Sequence, residues 1–378
     1  MKKIDAGFGS RDWTEKEIVE ILFTRMSTNF RAERAGKFTG DFEFHIFCDG
    51  AWEIFVLQVK NGKAQISREK SKKPFLRAKM SVRTFLRLAR GFFIPPLEVL
   101  FGLIRLRFWI FDLGKFAYFG WIFAPKKFQI PAKFAGQKLP SKKWHRPEKI
   151  LLINGSPRKN GTTALFLEKF ATGLPCEKTE ILSVADLKIS PCRHCFACWQ
   201  NDGVCVQSDD AVIFSEKVNA ADLLVFFVPL SIHSMPASLK LAIERHFVNS
   251  TSFFEKNKNF HGTVHPLRQA KPKAFLQFLI SGFPEKSNFA ALKKTFDDLA
   301  AHNNWRNLGA ILRPGALEFL HDPRLHFLRR DCFLSCKEVA RKIYETGKVT
   351  WTDKWKIGRR GIFLNDWRDR ANEFWESP

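Results

Sequence analysis

The sequence predicts an α/β protein in which a doubly wound parallel sheet follows a smaller α+β domain. The chain has 378 residues, which is longer than a typical single domain. Between residues 148 and 348, apolar strands alternate with amphipathic helices, as in parallel sheets covered by helices on both faces. Residues 14–123 contain helices, a hairpin and further strands without this alternation, which indicates a separate α+β unit.

Composition shifts set the expected domain boundaries. Proline, glycine and lysine dominate residues 125–147, which is typical of a linker. We therefore expect a first domain over residues 1–124, a second over 148–348, and a C-terminal tail over 349–378.

The net charge is +24, and such a surface attracts polyanions. The basic residues are spread along the chain and no nucleic-acid-binding motif occurs, so we expect a solvated basic surface and no nucleic-acid partner. No stretch of about twenty uncharged apolar residues is present, and the N-terminus lacks the apolar region of a signal peptide. A cytoplasmic location follows as an expectation, and there clustered cysteines are usually metal ligands or redox groups.

The first domain is expected to begin with a helix whose capping box is Thr14 and Glu17. An Asp-Gly turn at residues 49–50 joins two alternating segments into a β-hairpin. The helix is expected to bury Ile18, Ile21, Leu22, Met26 and Phe30. The elements expected next are a strand over 75–81, short helices over 82–91 and 95–102, a strand over 103–111, and a helix or amphipathic tail over 112–123.

This order of elements, with "ARG…PPLEVLFGLIRLRF" leading into the last strand, resembles the sterol carrier protein family over about residues 14–123. The resemblance implies an apolar tunnel that holds a lipid or acyl chain. The alternative is that the aromatic residues are ordinary core. Arg83, Arg87 and Arg90, about one helical turn apart, suggest a peripheral contact with an acidic membrane. The candidate tunnel residues are Phe92, Phe93, Phe101, Phe108, Trp109, Phe111 and Phe119.

In the second domain, five strands fit the flavodoxin-like order 2-1-3-4-5, in which ligands bind at the carboxyl ends of the strands. The segment "GSPRKNGTT" follows the first strand and precedes a helix. Backbone N–H groups at a helix start favour an anion, and a single phosphate, as in FMN, fits a loop that lacks a Walker ending. An ordinary strand-to-helix turn is the alternative. The candidate phosphate ligands are Ser156, Arg158, Gly161, Thr162 and Thr163.

Two later loops, "PLSIHSMP" and "ISGFP", leave other strands at the same expected edge. Their serine, glycine and proline residues allow backbone to lie against a flat flavin ring. The candidate ring contacts are Pro229, Leu230, Ser231, Ile232, Ser281 and Gly282.

Cysteines crowd one loop of this domain, at Cys192, Cys195, Cys198 and Cys205. Four thiolates with two-residue gaps suit a 4Fe-4S cluster or a tetrahedral zinc ion. A metal-free loop of neutral thiols or a redox disulfide is the other interpretation. We favour iron–sulfur, then no metal, then zinc, and expect the loop to lie beside the flavin.

The motifs "INGSPRKNGTT", "PCRHCFACWQNDGVCVQSDD", "ADLLVFFVPL…PASLKLAIER" and "ISGFPE" occur in the order found in NAD(P)H-dependent FMN reductase-like flavoproteins. The cysteine-bearing branch of this family is the iron–sulfur flavoproteins, which the segment from 148 to 348 resembles. The resemblance implies FMN, NAD(P)H as donor, and a homodimer or larger assembly. Thr162, His194 and Ser231 depart from the usual family pattern.

The sequence therefore predicts an FMN-dependent oxidoreductase with an appended lipid-binding-like domain and an unidentified electron acceptor. The alternative is a non-catalytic lipid or acyl-chain carrier with a degenerate flavodoxin-like domain. No residue is an evident general acid or base. His233, His261 and His265 are weak candidates, and Cys332 with Cys336 are expected to be buried thiols on one helix face.

Overall fold

The computed structural model of the chain describes residues 13–89, 104–106, 109–124, 131, 134, 143–257, 262–269 and 271–376. The chain divides into two compact units, Met1–Gln129 and Ile130–Pro378. Within the described residues no helix is both long and apolar enough to cross a bilayer.

The N-terminal unit is built on a five-stranded sheet in the order β3-β2-β1-β4-β5. Strands β1 and β4 are parallel and the other neighbours are antiparallel. Its strands are β1 Gly40–Cys48, β2 Ala51–Lys60, β3 Lys63–Ser67, β4 Leu76–Ser81 and β5 Ile104–Leu106, and its helices are α1 Glu15–Thr28, α2 Ala32–Ala35, α3 Val82–Ala89 and α4 Trp109–Ile122.

Helix α1 begins with the capping box that the sequence predicts. The Thr14 side chain accepts a hydrogen bond from the Glu17 N–H, and the Glu17 carboxylate accepts one from the Thr14 N–H. The buried centre of its apolar face is Val19 and Phe23. Ile18 and Ile21 are half-buried at its flank, so the predicted face was displaced by about one residue.

The predicted hairpin is confirmed, with Cys48 paired to Ala51 around the Asp49-Gly50 turn. Strand β3 was missed, although Asn61-Gly62 before it is a strong turn signal. The strand predicted over 103–111 is wrong in its second half, because α4 begins at Trp109. The short helix predicted over 95–102 lies outside the described residues, as do Arg90, Phe92, Phe93, Phe101 and Phe108.

The C-terminal unit is built on a second five-stranded sheet, in which all strands are parallel. Its strands are β6 Ile150–Asn154, β7 Thr179–Ser183, β8 Leu223–Pro229, β11 Ala274–Ile280 and β12 Arg306–Arg313, with a separate β-ribbon of β9 Glu255–Asn257 and β10 Gly262–Val264. Its helices are α5 Thr162–Ala171, α6 Ala197–Gln200, α7 Ala211–Ala220, α8 Ala237–Arg245, α9 Ala290–His302, α10 Ala316–His321, α11 His326–Thr346, α12 Trp351–Gly358 and α13 Leu364–Glu376.

The strands of this sheet lie in the order β7-β6-β8-β11-β12, which is 2-1-3-4-5 when they are counted along the chain. Both faces are buried. Ile150 and Leu152 of β6 belong to one apolar cluster, and Leu151 and Ile153 belong to the other. Every residue of β6 is buried, and its first four residues are apolar, as expected for a strand in a sheet covered on both sides.

Several elements of this unit were not expected from the sequence. They include the β9–β10 ribbon, α10 and both helices of the predicted tail, α12 and α13. Helix α12 packs against β12, and a Cβ added at Gly358 would come within 2.6 Å of the Leu312 carbonyl oxygen. The segment after residue 348 is therefore helical and contributes to the packing of this unit.

Candidate functional site

Three loops leave the carboxyl ends of neighbouring strands and begin side by side. The Gly155 N–H after β6 donates to the Phe227 carbonyl at 2.8 Å. Beyond β8, the Leu230 N–H donates to the Ile280 carbonyl at 2.7 Å, and the Ser281 N–H donates to Arg313 at 3.0 Å. The sheet thus continues one residue past its strands, and the loops start along one edge.

The phosphate loop, residues 155–161, is organised by its own side chains. The Asn154 amide oxygen accepts from the Ser156 N–H at 3.1 Å. The Ser156 hydroxyl oxygen accepts from the Arg158 N–H, also at 3.1 Å. Ser156 is buried whereas Arg158 is exposed, so the turn carries the guanidinium outward from a fixed base.

Helix α5 begins at the end of this loop and offers its positive end to the sheet edge. Gly161 is its N-cap residue, no side chain caps the helix, and the first turn contains no acidic residue. Thr162 is half-buried and Thr163 is almost fully buried. The first N–H groups of α5 have no side-chain acceptor. These N–H groups and the helix dipole together favour the binding of an anion at the start of the helix.

Gly155 is a residue of this loop that sequence reasoning missed. A Cβ at this position would lie 2.7 Å from the Leu239 Cδ2 atom and 3.1 Å from the Phe227 carbonyl oxygen. At Gly161 the nearest atom to an added Cβ would be 3.4 Å away. The close approach of β6 to α8 therefore requires glycine at 155. In the sequence, the Asn-Gly pair at residues 154–155 is the feature that could have pointed to this glycine.

The loop after β8 forms a tight turn rather than a broad platform. Ser231 and Ser234 exchange two backbone hydrogen bonds of 2.9 Å. The two residues between them, Ile232 and His233, have φ of 46° and 59°, a conformation uncommon for residues other than glycine. Ile232 is 92% exposed. Pro229 and Leu230 are half-buried below the turn.

The loop after β11 exposes Gly282 next to a fixed serine. Ser281 is buried, and its hydroxyl oxygen accepts from the Phe283 N–H at 3.0 Å. A Cβ at Gly282 would meet no atom within 4 Å, so the backbone there is open to a bound molecule.

The cysteine loop, residues 187–210, follows β7 and contains the short helix α6. Cys195 is exposed, while Cys192, Cys198 and Cys205 are partly buried. Burial, followed by the neighbouring Cys205, Cys192 and Cys195, raises the pKa of the Cys198 thiol. The other three thiols of the loop therefore lie close enough to Cys198 to affect its ionisation. Within the described residues, however, no three His, Cys, Asp or Glu side chains are arranged to hold a metal ion.

Two arginines from distant segments hold the cysteine loop. Arg245, at the end of α8, is almost fully buried. It donates to the Ser190 carbonyl at 2.8 Å, to the Asp209 carboxylate at 2.6 Å and to the Cys205 sulfur at 3.4 Å. Arg268 donates to the carbonyls of Cys198 and Trp199 at 3.3 Å. Neither arginine was identified from the sequence, since each is far from the cysteines along the chain.

Aromatic packing seats the loop against the same segments. The Trp199 ring lies 4.6 Å from Phe196, 5.4 Å from Phe247 and 5.0 Å from His265. His265 also has Nδ1 3.0 Å from the Phe253 carbonyl oxygen. These contacts attach the loop to the end of α8, to the turn that follows it and to residues 265–268. That the loop lies beside the flavin stays a prediction.

Four other residues were candidates from the sequence, namely Cys332, Cys336, His233 and His261. Cys332 and Cys336 are buried on α11, as predicted. His233 is exposed in its turn. His261 lies outside the described residues.

Comparison with known proteins gives a match for the part of the chain that contains the phosphate loop, the cysteine loop and the loop after β8. Residues 148–274 match the family model of NADPH-dependent FMN reductase. The chain is similar to an iron–sulfur flavoprotein of Methanocaldococcus jannaschii, with 30% identity over 112 residues, covering 29% of this chain and 58% of the relative. It is also similar to an iron–sulfur flavoprotein of Archaeoglobus fulgidus, with 35% identity over 99 residues, covering 26% of this chain and 48% of the relative.

The chain thus spans about half of the length of these curated relatives. Among solved structures, it is similar to an azoreductase from Bacillus anthracis, with 15% identity and a TM-score of 0.40, covering 51% of this chain and 99% of that one.

Proposed function

We propose that the C-terminal unit is an FMN-dependent oxidoreductase that accepts electrons from NAD(P)H. The observation that carries this proposal is the phosphate loop. A self-organised turn, an exposed arginine and an uncapped helix start meet at the carboxyl edge of a parallel sheet. The match of residues 148–274 to the FMN reductase model supports it.

The residues of the three loops divide into two groups in this proposal. The N–H groups at the start of α5, with Ser156, Arg158 and Thr162, would bind the phosphate. The buried Thr163 would mainly fix the first turn of the helix. Backbone of residues 229–232 and 281–282 would contact the ring. FMN, when bound, supplies the hydride-accepting chemistry, so this chain's task is to bind and orient it.

Titration with FMN tests the proposal. The purified protein should bind FMN at one per chain. Arg158→Ala should weaken binding by about 1.5–3 kcal/mol, the range for a hydrogen bond to a charged group. Lys159→Ala is the matched control, because Lys159 is a neighbouring exposed cation that pairs with Asp186. Equal effects of the two substitutions would remove Arg158 from the site, and a protein that binds no FMN would refute the function.

The electron donor is tested separately on the FMN-loaded protein. Anaerobic addition of NADH or NADPH should bleach the visible absorbance of the flavin. Bound flavin that neither nucleotide reduces, but that dithionite does reduce, would contradict NAD(P)H as donor while leaving the FMN site intact.

We propose, as a finer part of this function, that the cysteine loop takes up an iron–sulfur cluster. Its support is the placement of three thiols near Cys198 and the similarity of the chain to archaeal iron–sulfur flavoproteins. Because no three of these thiols form a metal-binding group in the described loop, loading requires the loop to draw its sulfurs together.

Metal analysis of anaerobically prepared protein tests this part. About four iron and four sulfide per chain are expected for the proposed cluster type. Cys198→Ser should remove the iron and leave FMN bound. Cys176→Ser is the matched control, since Cys176 is an exposed thiol outside the loop. Anaerobic protein without iron would reduce the loop to a structural or thiol-redox element.

A second candidate function, lipid or acyl-chain binding, is favoured by a cavity of about 590 Å³ in the N-terminal unit. It lies between α1, α3 and α4, and its walls include Leu22, Phe85 and the predicted tunnel residue Phe119. Such a volume lies in the range of ligand pockets. Phe119 is itself buried against Phe44. This side chain therefore belongs to the hydrophobic core and also lines the cavity.

Binding of a fluorescent fatty acid to the full chain tests this candidate. Leu22→Trp, which fills the cavity, should lower the affinity. Thr24→Trp is the control, because Thr24 lies on the exposed side of the same helix. Absence of fatty-acid binding by the unmodified protein would leave the unit a structural or docking role.

A further inference from the structure

A groove of about 840 Å³ lies at the C-terminal end of α12. Helix α12, the start of α13 and the turn between them form most of it, and the residue that follows the loop after β11 completes it. The groove therefore lies outside the 148–274 segment that matches the FMN reductase model. The lining residues are Lys286, Trp355, Gly358, Arg359, Arg360, Gly361, Ile362, Phe363, Leu364 and Asn365.

The groove carries positive charge that the protein does not neutralise. None of its described lining residues is acidic, and three are cationic. Arg359 has one acidic neighbour, since its Nη2 atom lies 3.6 Å from the Asp331 carboxylate. Lys286 and Arg360 are exposed, and neither forms a hydrogen bond or an ion pair with the described residues. Two cations without a protein partner favour an anionic ligand, and a guanidinium suits a phosphate in particular.

Two aromatic rings are exposed in the same groove. Trp355 is 45% exposed and Phe363 is 89% exposed. The guanidinium carbon of Arg359 lies 5.2 Å from the centre of the Trp355 ring. Proteins bind nucleotides on surfaces of this kind, where aromatic rings stack on the bases and neighbouring cations hold the phosphates. The combination favours a flat ring that carries phosphate over a simple anion or an apolar ligand.

Arg313 joins the backbone of the groove to the loop after β11. Its side chain is 1% exposed, and its Nη1 donates to the Ile357 carbonyl at 2.8 Å and to the Arg359 carbonyl at 3.1 Å. The carbonyl of Arg313 accepts from the Ser281 N–H at 3.0 Å. Ser281 belongs to the backbone that we propose contacts the flavin ring. The groove therefore lies within the reach of one arginine side chain from that ring site.

The strand order places the groove and the phosphate loop on opposite sides of the ring site. The phosphate loop follows β6, the ring contacts follow β8 and β11, and the groove lies beside β12, where Gly358 packs against Leu312. A dinucleotide whose nicotinamide lies on the flavin must keep its own phosphates away from the FMN phosphate, because like charges repel. The groove lies on the side where those phosphates would extend.

We propose that this groove binds the adenosine-phosphate end of the NAD(P)H donor, an inference that rests on the proposed oxidoreductase function. The adenine would stack on Trp355, and Lys286 and Arg360 would pair with phosphate. NADPH carries one more phosphate on this end than NADH, so the groove should bind NADPH more tightly. The segment after residue 348, which the sequence indicated as a tail, would thus take part in binding the donor.

Calorimetric titration with adenosine 2′,5′-bisphosphate, the phosphate-rich half of NADPH, tests the proposal. The full chain is used in excess FMN, so that the phosphate loop is occupied, and one molecule per chain should bind. Arg360→Met should weaken binding about ten-fold or more, as expected when a hydrogen bond to a charged group is lost. Arg341→Met makes the same change at an exposed arginine of α11, outside the groove, and should leave binding unchanged.

A second pair of substitutions measures the aromatic contact. Trp355→Leu should weaken binding about five-fold or more, in the range for a base stacked on an aromatic ring. Trp121→Leu, at an exposed tryptophan of α4, is the control. No binding by the unmodified protein, or equal binding by the unmodified protein and Arg360→Met, would overturn the proposal. Equal affinity for AMP, which lacks the 2′-phosphate, would overturn it as well.

The titration involves no electron transfer, so it separates this inference from the function on which it rests. Protein that binds FMN and is reduced by NAD(P)H, but does not bind the bisphosphate, would refute the groove alone. Protein that binds the bisphosphate but no FMN would refute the oxidoreductase function and, with it, the role of the groove in donor binding. In the FMN-loaded protein, flavin reduction should saturate at a lower concentration of NADPH than of NADH, and Arg360→Met should reduce that difference.

Discussion

The phosphate loop and the cysteine loop follow neighbouring strands, β6 and β7, but they are held in different ways. The side-chain hydrogen bonds of the phosphate loop join residues two positions apart. The cysteine loop has hydrogen bonds of its own, such as that from the Ser190 N–H to the Asp209 carboxylate. It is also held by Arg245 and Arg268, which lie 36–70 positions from the groups they bind. The first loop can form as a local turn, whereas the second requires the completed fold of its unit.

The arginines at the two loops also differ, one being open to solvent and the other bound within the protein. Arg158 is exposed and available to a ligand, whereas Arg245 is buried and both of its terminal nitrogens donate to protein groups. Burial acts to raise the pKa of Asp209, but the hydrogen bonds from Arg245, Ser190 and Ala211 outweigh it and hold that pKa below its usual value. One arginine is thus available for binding, while the other fixes structure.

The largest effect on the free energy of unfolding is expected from removing the charge of Arg245. Arg245→Met removes the charged donor from the Asp209 carboxylate, from the carbonyls of Ser190 and Gln207 and from the Cys205 sulfur. Breaking a buried ion pair on one side costs about 3–5 kcal/mol, so urea unfolding should show a loss of this order. Limited proteolysis should also cut the cysteine loop first.

Arg341→Met is the control for this change, because Arg341 is an exposed arginine on α11. Its free energy of unfolding should change by less than about 1 kcal/mol. Similar losses in the two variants would show that the cysteine loop does not depend on Arg245.

The contrast between the loops also explains what the sequence could predict. The phosphate loop is local, so "NGSPRKNGTT" was enough to identify it and to locate it between β6 and α5. The strand alternation likewise predicted the parallel sheet. The cysteine spacing identified four thiols, but not their arrangement, which depends on the packing of Trp199 against Phe247 and His265.

Elements fixed by tertiary packing escaped the sequence for the same reason. Helices α12 and α13 contain several exposed aromatic and charged residues, so their apolar periodicity is weak, and α12 is stabilised partly by its contact with β12. The buried face of α1 differs from the predicted one for a similar reason. Phe23 lies at the centre of that face because its ring stacks on Phe55 and Phe85. Apolar spacing alone did not contain that information.

The contribution of His246 to stability should depend on pH. This residue begins the turn His246–Asn249 that follows α8. The pKa of His246 is lowered from 6.5 to about 4 in the fold, so between these values the unfolded chain binds more protons than the native one. Stability is therefore present above pH 6.5 and is lost as the pH falls towards 4. The shift corresponds to about 3 kcal/mol as an upper bound.

The measurement is urea unfolding at pH 7 and pH 4 for the protein and for His246→Gln. Carboxylates titrate in both proteins, so the difference between their pH dependences isolates His246. The variant should lose less stability on acidification. Parallel pH curves for the two proteins would contradict the assignment of a neutral imidazole at His246.

A smaller effect is expected at the base of the phosphate loop. Gly155→Ala forces a methyl group to within 2.7 Å of Leu239 and 3.1 Å of the Phe227 carbonyl. Overpacking of this kind costs about 1–3 kcal/mol, and FMN affinity should fall as well. Gly114→Ala is the control, because a Cβ at this exposed position of α4 would meet no atom within 4 Å and the residue lies outside the proposed FMN site. A stable Gly155→Ala with unchanged FMN binding would show that the edge is not sterically fixed.

The smallest effect tests whether the phosphate loop truly organises itself. Ser156→Ala removes the acceptor of the Arg158 N–H and should lower stability by about 1 kcal/mol, the typical net value of one hydrogen bond. Ser156→Thr retains the hydroxyl and serves as the control. If the turn is local, the loss should come with weaker FMN binding, while cleavage of the cysteine loop stays unchanged. Faster proteolysis of the cysteine loop in Ser156→Ala would instead couple the two loops and remove the distinction between them.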